Sequence, residues 1–198
     1  MSDVAQVDDA AVSEGGRRRP VAPFVVLAVA VVLGALFVVL AQSRAGGADT
    51  VESYLMGKAA PTAVGTTLDG RQFDLSQRKG SWVVLNFFDP TCVPCIEEHP
   101  ELVAFAQDQA VVANGAELYT IINRGSDDAV RDFFDDNGGD WPIVSDPTGA
   151  ISVDFGVAKV PETWVIDPNG VVRVRYPGTV TAAGLSTQLQ ELRELQPG

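Results

Sequence analysis

Cysteine is almost absent from this chain: of 198 residues only Cys92 and Cys95 carry a thiol. That scarcity excludes a disulfide-rich secreted scaffold and a four-cysteine zinc site. Basic residues are also short, with 14 Lys and Arg against 26 Asp and Glu, a formal net charge of −12. Phosphate binding needs a basic face, so the balance argues against nucleic acid as a main partner. No internal repeat is visible, and 46% apolar with 20% charged residues fits neither a disordered nor a collagen-like polymer. The length allows one domain, or at most two small ones.

What the chain does have is a long apolar run. Residues 21–41 read VAPFVVLAVAVVLGALFVVLA, without a charge. That is enough for one transmembrane helix, which needs about 20 residues. Arg17, Arg18 and Arg19 precede it and only Arg44 closely follows. By the positive-inside rule the N-terminus is cytosolic and the rest of the chain extracytoplasmic. A cleaved signal peptide, with Ser43 and Ala45 as its small residues, is the competing reading. A buried core helix is disfavoured by the lack of a polar face. Anchor or leader, the remainder reaches an oxidising compartment.

Four segments follow. Residues 1–20 are small, acidic and polar and read as a disordered cytosolic tail. Residues 21–41 are the anchor in the lipid bilayer, 42–60 a linker, and 61–198 a single domain. Four Arg and four acids cancel within residues 1–44, so the whole −12 lies on the exported side. In the domain, strand and helix patterns alternate. A hairpin is expected at 66–68 and 71–74 around Asp69-Gly70, and a covered central strand at 82–88. Helices are expected at 93–113 and 127–136, with a strand at 117–122 between them. A second hairpin at 163–166 and 171–175 turns at Asn169-Gly170. A final helix over 182–195 places Leu185, Leu189, Leu192 and Leu195 on one face. The order implies an α/β sandwich with one mixed central sheet flanked by helices.

The chemistry concentrates in Asn86-Phe87-Phe88-Asp89-Pro90-Thr91-Cys92-Val93-Pro94-Cys95. A CxxC pair at the exit of a buried strand and the first turn of a helix closes a small disulfide without unfolding anything. Cys92, at the helix N-terminus, meets unpaired N–H groups that favour a thiolate. Cys95, one turn further in, is placed to resolve a mixed disulfide. Pro94 is tolerated because the first turn has no partner for its missing N–H. A purely structural disulfide would close too short a loop to stabilise much. His99 completes a CxxCxxxH pattern, yet a closed zinc site wants four ligands, and His99 reads instead as a helix-surface residue.

The stretch VVLNFFDPTCVPCIEEHPEL, followed about 65 positions later by FGVAKVPETWVIDPNGVVRVRYPG, resembles the membrane-anchored extracytoplasmic thioredoxin-like proteins of the TlpA, ResA and CcmG (DsbE) family. The resemblance runs over residues 60–195. It implies a thioredoxin-like fold and thiol–disulfide exchange by Cys92 and Cys95, with no cofactor beyond their redox-active disulfide and no metal. It also implies a cis proline beside the pair, matched by Pro161 after Val160, whose backbone pairs with the incoming peptide. Glu98 fills the family's CxxCxxE acid, a proton partner for the buried thiol if burial raises its proton affinity. Asn86 stands where soluble thioredoxins keep a buried Asp, either as a catalytic neighbour or as a satisfied core residue. Thr91 replaces the family's usual Trp before the first cysteine, and Asp89 close by should oppose Cys92 ionisation. Glu162 matches the PET sequence of the CcmG branch and is a candidate specificity residue beside the groove.

Three functions compete. In the first, a membrane electron donor keeps the pair reduced and it opens disulfides of exported proteins such as apocytochrome c. In the second the direction reverses and a Cys92–Cys95 disulfide oxidises secreted substrates. The third is a copper-handling module that uses the thiols as ligands. A peroxidatic loop is an outside reading, because Pro90, Thr91 and Cys92 are adjacent instead of spaced around a turn.

Overall fold

The computed structural model describes residues 29–37 and 53–195. The chain divides into two units, Met1–Gly46 and Gly47–Gly198. In the first, residues 29–37 are helical; the rest of the expected 21–41 anchor, and the 1–20 tail, lie outside the described residues. Among the described residues no helix is long and apolar enough to cross a membrane.

The second unit is built on a sheet of seven strands: β1 (Val64–Thr67), β2 (Gln72–Asp74), β3 (Val83–Phe88), β4 (Glu117–Ile122), β5 (Ile143–Ser145), β6 (Glu162–Ile166) and β7 (Val172–Pro177). Their order is β2-β1-β5-β4-β3-β6-β7. Helices α1 (Val93–Val111), α2 (Asp127–Asn137), α3 (Ala150–Asp154) and α4 (Ala182–Leu195) complete it. β3, β4 and β5 run parallel, while β6 pairs antiparallel with β3 and β7 with β6. The sheet is therefore mixed, and β3 lies at the point where the strand order reverses. In α/β sheets such a point, at the carboxyl end of the strand, is where sites form.

Every residue of β3 is buried, which is why its sequence is a continuous apolar run interrupted only by Asn86. Alternation sends Val84 and Phe88, with Leu118, Ile122 and Val165, to a core shared with Cys95, Leu102 and Phe105 of α1 and Leu185 and Leu189 of α4. The opposite face sends Val83, Leu85, Phe87, Ile121, Trp164 and Ile166 against Ile151 and Phe155. A register shift between Val165 and Ile166 keeps Val172 in this second core although Val174 is in the first.

Two expectations change. Residues 53–60 are not linker: Leu55 is buried, the Gly57 N–H donates to the Val172 carbonyl, and Ala59 bridges to Val171. They extend the sheet beside the start of β7, so the folded unit already includes them. Leu195 is 79% exposed at the end of α4 and does not join Leu185 and Leu189. β5 and α3 had no counterpart in the sequence pattern. They fill the crossover between α2 and β6.

Candidate active site

α1 starts where β3 ends, after a turn held by Asp89. One Asp89 carboxylate oxygen accepts from the Thr91 N–H (2.8 Å) and the Thr91 hydroxyl (2.7 Å). The Asp89 carbonyl accepts from the Cys92 N–H at 3.1 Å. Asp89 thus organises the loop that presents Cys92. Gly125 closes over it from the β4–α2 loop: at φ 95°, a Cβ there would meet Pro90 at 2.9 Å.

Cys92 caps α1. Its Sγ accepts the Cys95 N–H at 3.3 Å, and its thiol lies 3.5 Å from the Val160 carbonyl, to which it donates. The Val160–Pro161 peptide is cis, and the turn before β6 stands directly beside Cys92. Gly178 ties the same turn to the end of β7 by donating to the Pro161 carbonyl at 2.9 Å. Cys92 is half-buried, Thr91 exposed and Val160 half-buried, while Cys95 is fully covered. Both thiols are free. The structure therefore brings Cys92, Cys95, Thr91, Val160 and Pro161 together as the sequence motif implied.

The buried stripe of α1 runs Cys95, Glu98, His99, Leu102, Phe105, Gln109, the spacing of one helix face. Glu98 falls on it, 2% exposed, whereas Glu97 is solvated. Glu98 Oε1 accepts from the Val180 N–H (2.8 Å) and Oε2 from Asn86 Nδ2 (3.3 Å). Burial raises its proton affinity from the ordinary 4.5 to about 7, and the two hydrogen bonds only partly counter it. The Cys95 thiol is pushed well up, first by burial, then by its hydrogen bond with Cys92, with Glu98 among the charges acting the same way. Thr163, two residues past Pro161, was not singled out by sequence. Its hydroxyl accepts from Asn86 Nδ2 at 3.1 Å, and its position in phase with Val165 is the signal that places it over α1.

His99 is not a surface residue. It is 1% exposed among Phe88, Phe133, Phe134 and Trp141, with Nε2 2.7 Å from the Gly138 carbonyl. Burial lowers its proton affinity, so it sits neutral with Nε2–H donating. The spacing of four from Cys95 and three to Leu102 already put it on the buried stripe. Among the described residues no three His, Cys, Asp or Glu side chains converge as metal ligands.

Glu162 does not reach the surface. It is 1% exposed and faces the Trp164 side of the sheet, opposite α1. Its carboxylate receives Arg175 Nε (3.0 Å), Arg175 Nη2 (2.9 Å) and Trp164 Nε1 (2.8 Å). Those bonds leave it a structural acid that joins β6 to β7 rather than a contact for substrate.

The raised proton affinity of Glu98 has a sign that stability measurements read. Below pH 4.5 the carboxyl is protonated folded and unfolded, and costs nothing. As pH rises toward 7 the unfolded chain ionises first, so stability is lost across that window. Relative to Glu98→Gln, the reduced wild-type protein is expected to lose about 3 kcal/mol between those limits. Urea titrations at a series of pH values check it, and parallel curves for the two proteins would contradict it.

A solvent-reachable thiol capping a helix, a covered partner thiol one turn on, and a cis proline beside them on a mixed α/β sheet define a thioredoxin-like thiol–disulfide oxidoreductase. Comparison with known proteins gives the family. The chain belongs to the AhpC/TSA family, whose model matches residues 56–175, and within it to the thiol–disulfide oxidoreductases of the ResA and DsbE type. It is 31% identical over 144 residues to the thiol-disulfide oxidoreductase ResA of Bacillus thuringiensis (strain Al Hakam), covering 71% of this chain and 80% of that protein. It is 29% identical to the thiol:disulfide interchange protein DsbE of Vibrio cholerae, covering 86% and 92%. A thioredoxin family protein from Chlorobium tepidum TLS superposes with a TM-score of 0.61 at 23% identity, covering 71% of this chain and 98% of that one.

Proposed function

We propose that this chain is a membrane-tethered, extracytoplasmic disulfide reductase for exported proteins, with apocytochrome c in its substrate class. The observation that carries the exchange chemistry is a half-buried Cys92 at the start of α1 with a covered Cys95 one turn behind it. Burial works against a Cys95 thiolate, so the second thiol adds nothing to an oxidising poise. The names of the relatives support exchange chemistry, and the apolar 21–41 segment behind three arginines supports tethering with the N-terminus in the cytosol.

In the proposed cycle the Cys92 thiolate attacks a substrate disulfide, forming a mixed disulfide and releasing one substrate thiolate. Cys95 passes its proton to Glu98 and attacks Cys92 Sγ, releasing the second substrate thiolate. Two electrons have moved, and the pair is left as the Cys92–Cys95 disulfide, with no other cofactor. A membrane electron donor of the same thiol–disulfide chemistry restores it. Thr91 and the backbone of Val160, set by Pro161, flank Cys92 and are the proposed substrate contacts. The −12 charge on the exported side favours neutral or basic partners on encounter.

The midpoint potential of the Cys92/Cys95 couple, measured on the full chain in detergent, tests the direction. A value near that of thioredoxin, about −270 mV, is expected; one near −120 mV would make it an oxidase.

A further inference from the structure

Beside Glu98 lies one buried polar group that the exchange cycle does not use. Asn86 is fully buried and spends both amide hydrogens, one on Glu98 Oε2 and one on Thr163 Oγ1. Its Oδ1 has no hydrogen-bond partner. Leaving a buried amide oxygen unpaired costs about 1–3 kcal/mol, so an all-apolar residue would serve this position better if packing were its only duty.

The arrangement suits an ionised Glu98 and fails a protonated one. With Oε1 held by the Val180 N–H, the proton on Glu98 belongs on Oε2, where it would point at the Asn86 NH₂, a donor against a donor. Turning the amide over exchanges nearly isosteric oxygen and nitrogen. Oδ1 then receives the Glu98 proton, while the NH₂ moves to the place where Oδ1 had no partner, so the turn is driven by the Glu98 O–H alone. The Thr163 hydroxyl, which can donate as well as accept, turns its hydrogen to the same oxygen. An Asp at position 86 has no such second orientation when ionised.

We infer that Asn86 is a reversible hydrogen-bond partner that turns its amide over as Glu98 gains or loses its proton, with Thr163 as the hydroxyl that follows it. Both are positioning residues acting through Glu98, and the inference rests on the reading of Glu98 as the proton partner of Cys95. The groups around Glu98 are consistent with a local exchange. On α1 they are Cys95 and Glu101, whose Oε2 accepts from the Ala182 N–H at 2.9 Å. Thr163 comes from β6, with Tyr176 of β7 as its register partner; burial pushes the Tyr176 hydroxyl up to about 12, so it stays neutral. The 178–181 segment contributes the Val180 N–H, and β3 contributes Asn86.

The test is carboxyl and side-chain amide NMR on the reduced full chain in detergent, with the Glu98 signal assigned by its loss in Glu98→Gln. In the unaltered protein the Asn86 side-chain resonances are expected to titrate with the Glu98 midpoint. Thr163→Val leaves an Asn86 N–H unpaired in the ionised arrangement, whereas in the protonated one Oδ1 still receives the Glu98 O–H, so the proton affinity of Glu98 should rise about three- to tenfold. Thr163→Ser should return it to the wild-type value. Asn86 resonances that stay fixed while Glu98 titrates would overturn the inference, as would a folded Thr163→Val protein with an unchanged midpoint. None of these readouts depends on disulfide exchange, so a chain that proved to be an oxidase would leave them intact.

Discussion

Cys95→Ser is expected to accumulate mixed disulfides through Cys92, and Cys92→Ser to lose disulfide exchange by about 10⁴-fold or more. The two thiols have different surroundings, and the difference assigns the steps. Cys92 is the helix cap: it is half-buried, its sulfur receives the Cys95 N–H, and it stands 3.5 Å from the Val160 carbonyl. Cys95 is closed off from solvent in the core with Phe88 and Leu102, with Glu98 among the charges acting on its thiol. A substrate disulfide is therefore expected to meet Cys92 first. With serine at 95 the second attack has no sulfur, and the covalent intermediate persists. Incubation with an oxidised protein substrate, alkylation and non-reducing gels read the trapped species, and mass spectrometry of the linked peptides places it on Cys92. Adducts on Cys95 in Cys92→Ser, at wild-type rate, would reverse the assignment. So would a Cys92→Ser variant that keeps exchange while losing bound copper, which is the outcome a metal-handling module requires.

The sequence carried the site better than it carried the sheet. β3 was legible because a strand covered on both faces has to be apolar throughout, and α1 because a cap, an early proline and a stripe at helical spacing coincide. Glu98 came from the family resemblance, as the acid of its CxxCxxE pattern. Helical spacing from Cys95, three to Glu98 and four to His99, would have buried His99 as well, whose cage of Phe133, Phe134 and Trp141 comes from elements far along the chain. β5 has only three residues between Pro142 and Asp146-Pro147, too short for any alternation to show. Residues 53–60 read as linker because their composition is that of one. Their order comes from backbone bonds to Gly170 and Val172, which no side-chain pattern encodes.

Arg175→Met is expected to destabilise the protein by about 3–5 kcal/mol, the range for breaking a buried ion pair by removing one partner. Position 162 shows why the acid beside Pro161 is structural. It begins β6, in phase with Trp164, and the register sets Trp164 opposite Arg175 on β7. The diagonal from Arg175 to Glu162 is then short enough for a two-toothed contact at 2.9 and 3.0 Å, while the guanidinium lies 5.2 Å over the Trp164 ring and the indole N–H completes the carboxylate. With Glu162 only 1% exposed, loss of Arg175 leaves a carboxylate with one donor and no counter-ion in the core. Adding Glu162→Gln should recover part of the loss, because the residue left behind is then neutral. Urea unfolding of the single and double variants measures both effects. A loss below about 1 kcal/mol for Arg175→Met would place the pair with solvent-screened surface bridges. The active-site loop supplies the second readout: Glu162 immediately follows Pro161, so weakening its hold on β7 should also slow exchange through Cys92, whereas a solvated specificity acid would alter substrate preference and leave stability alone.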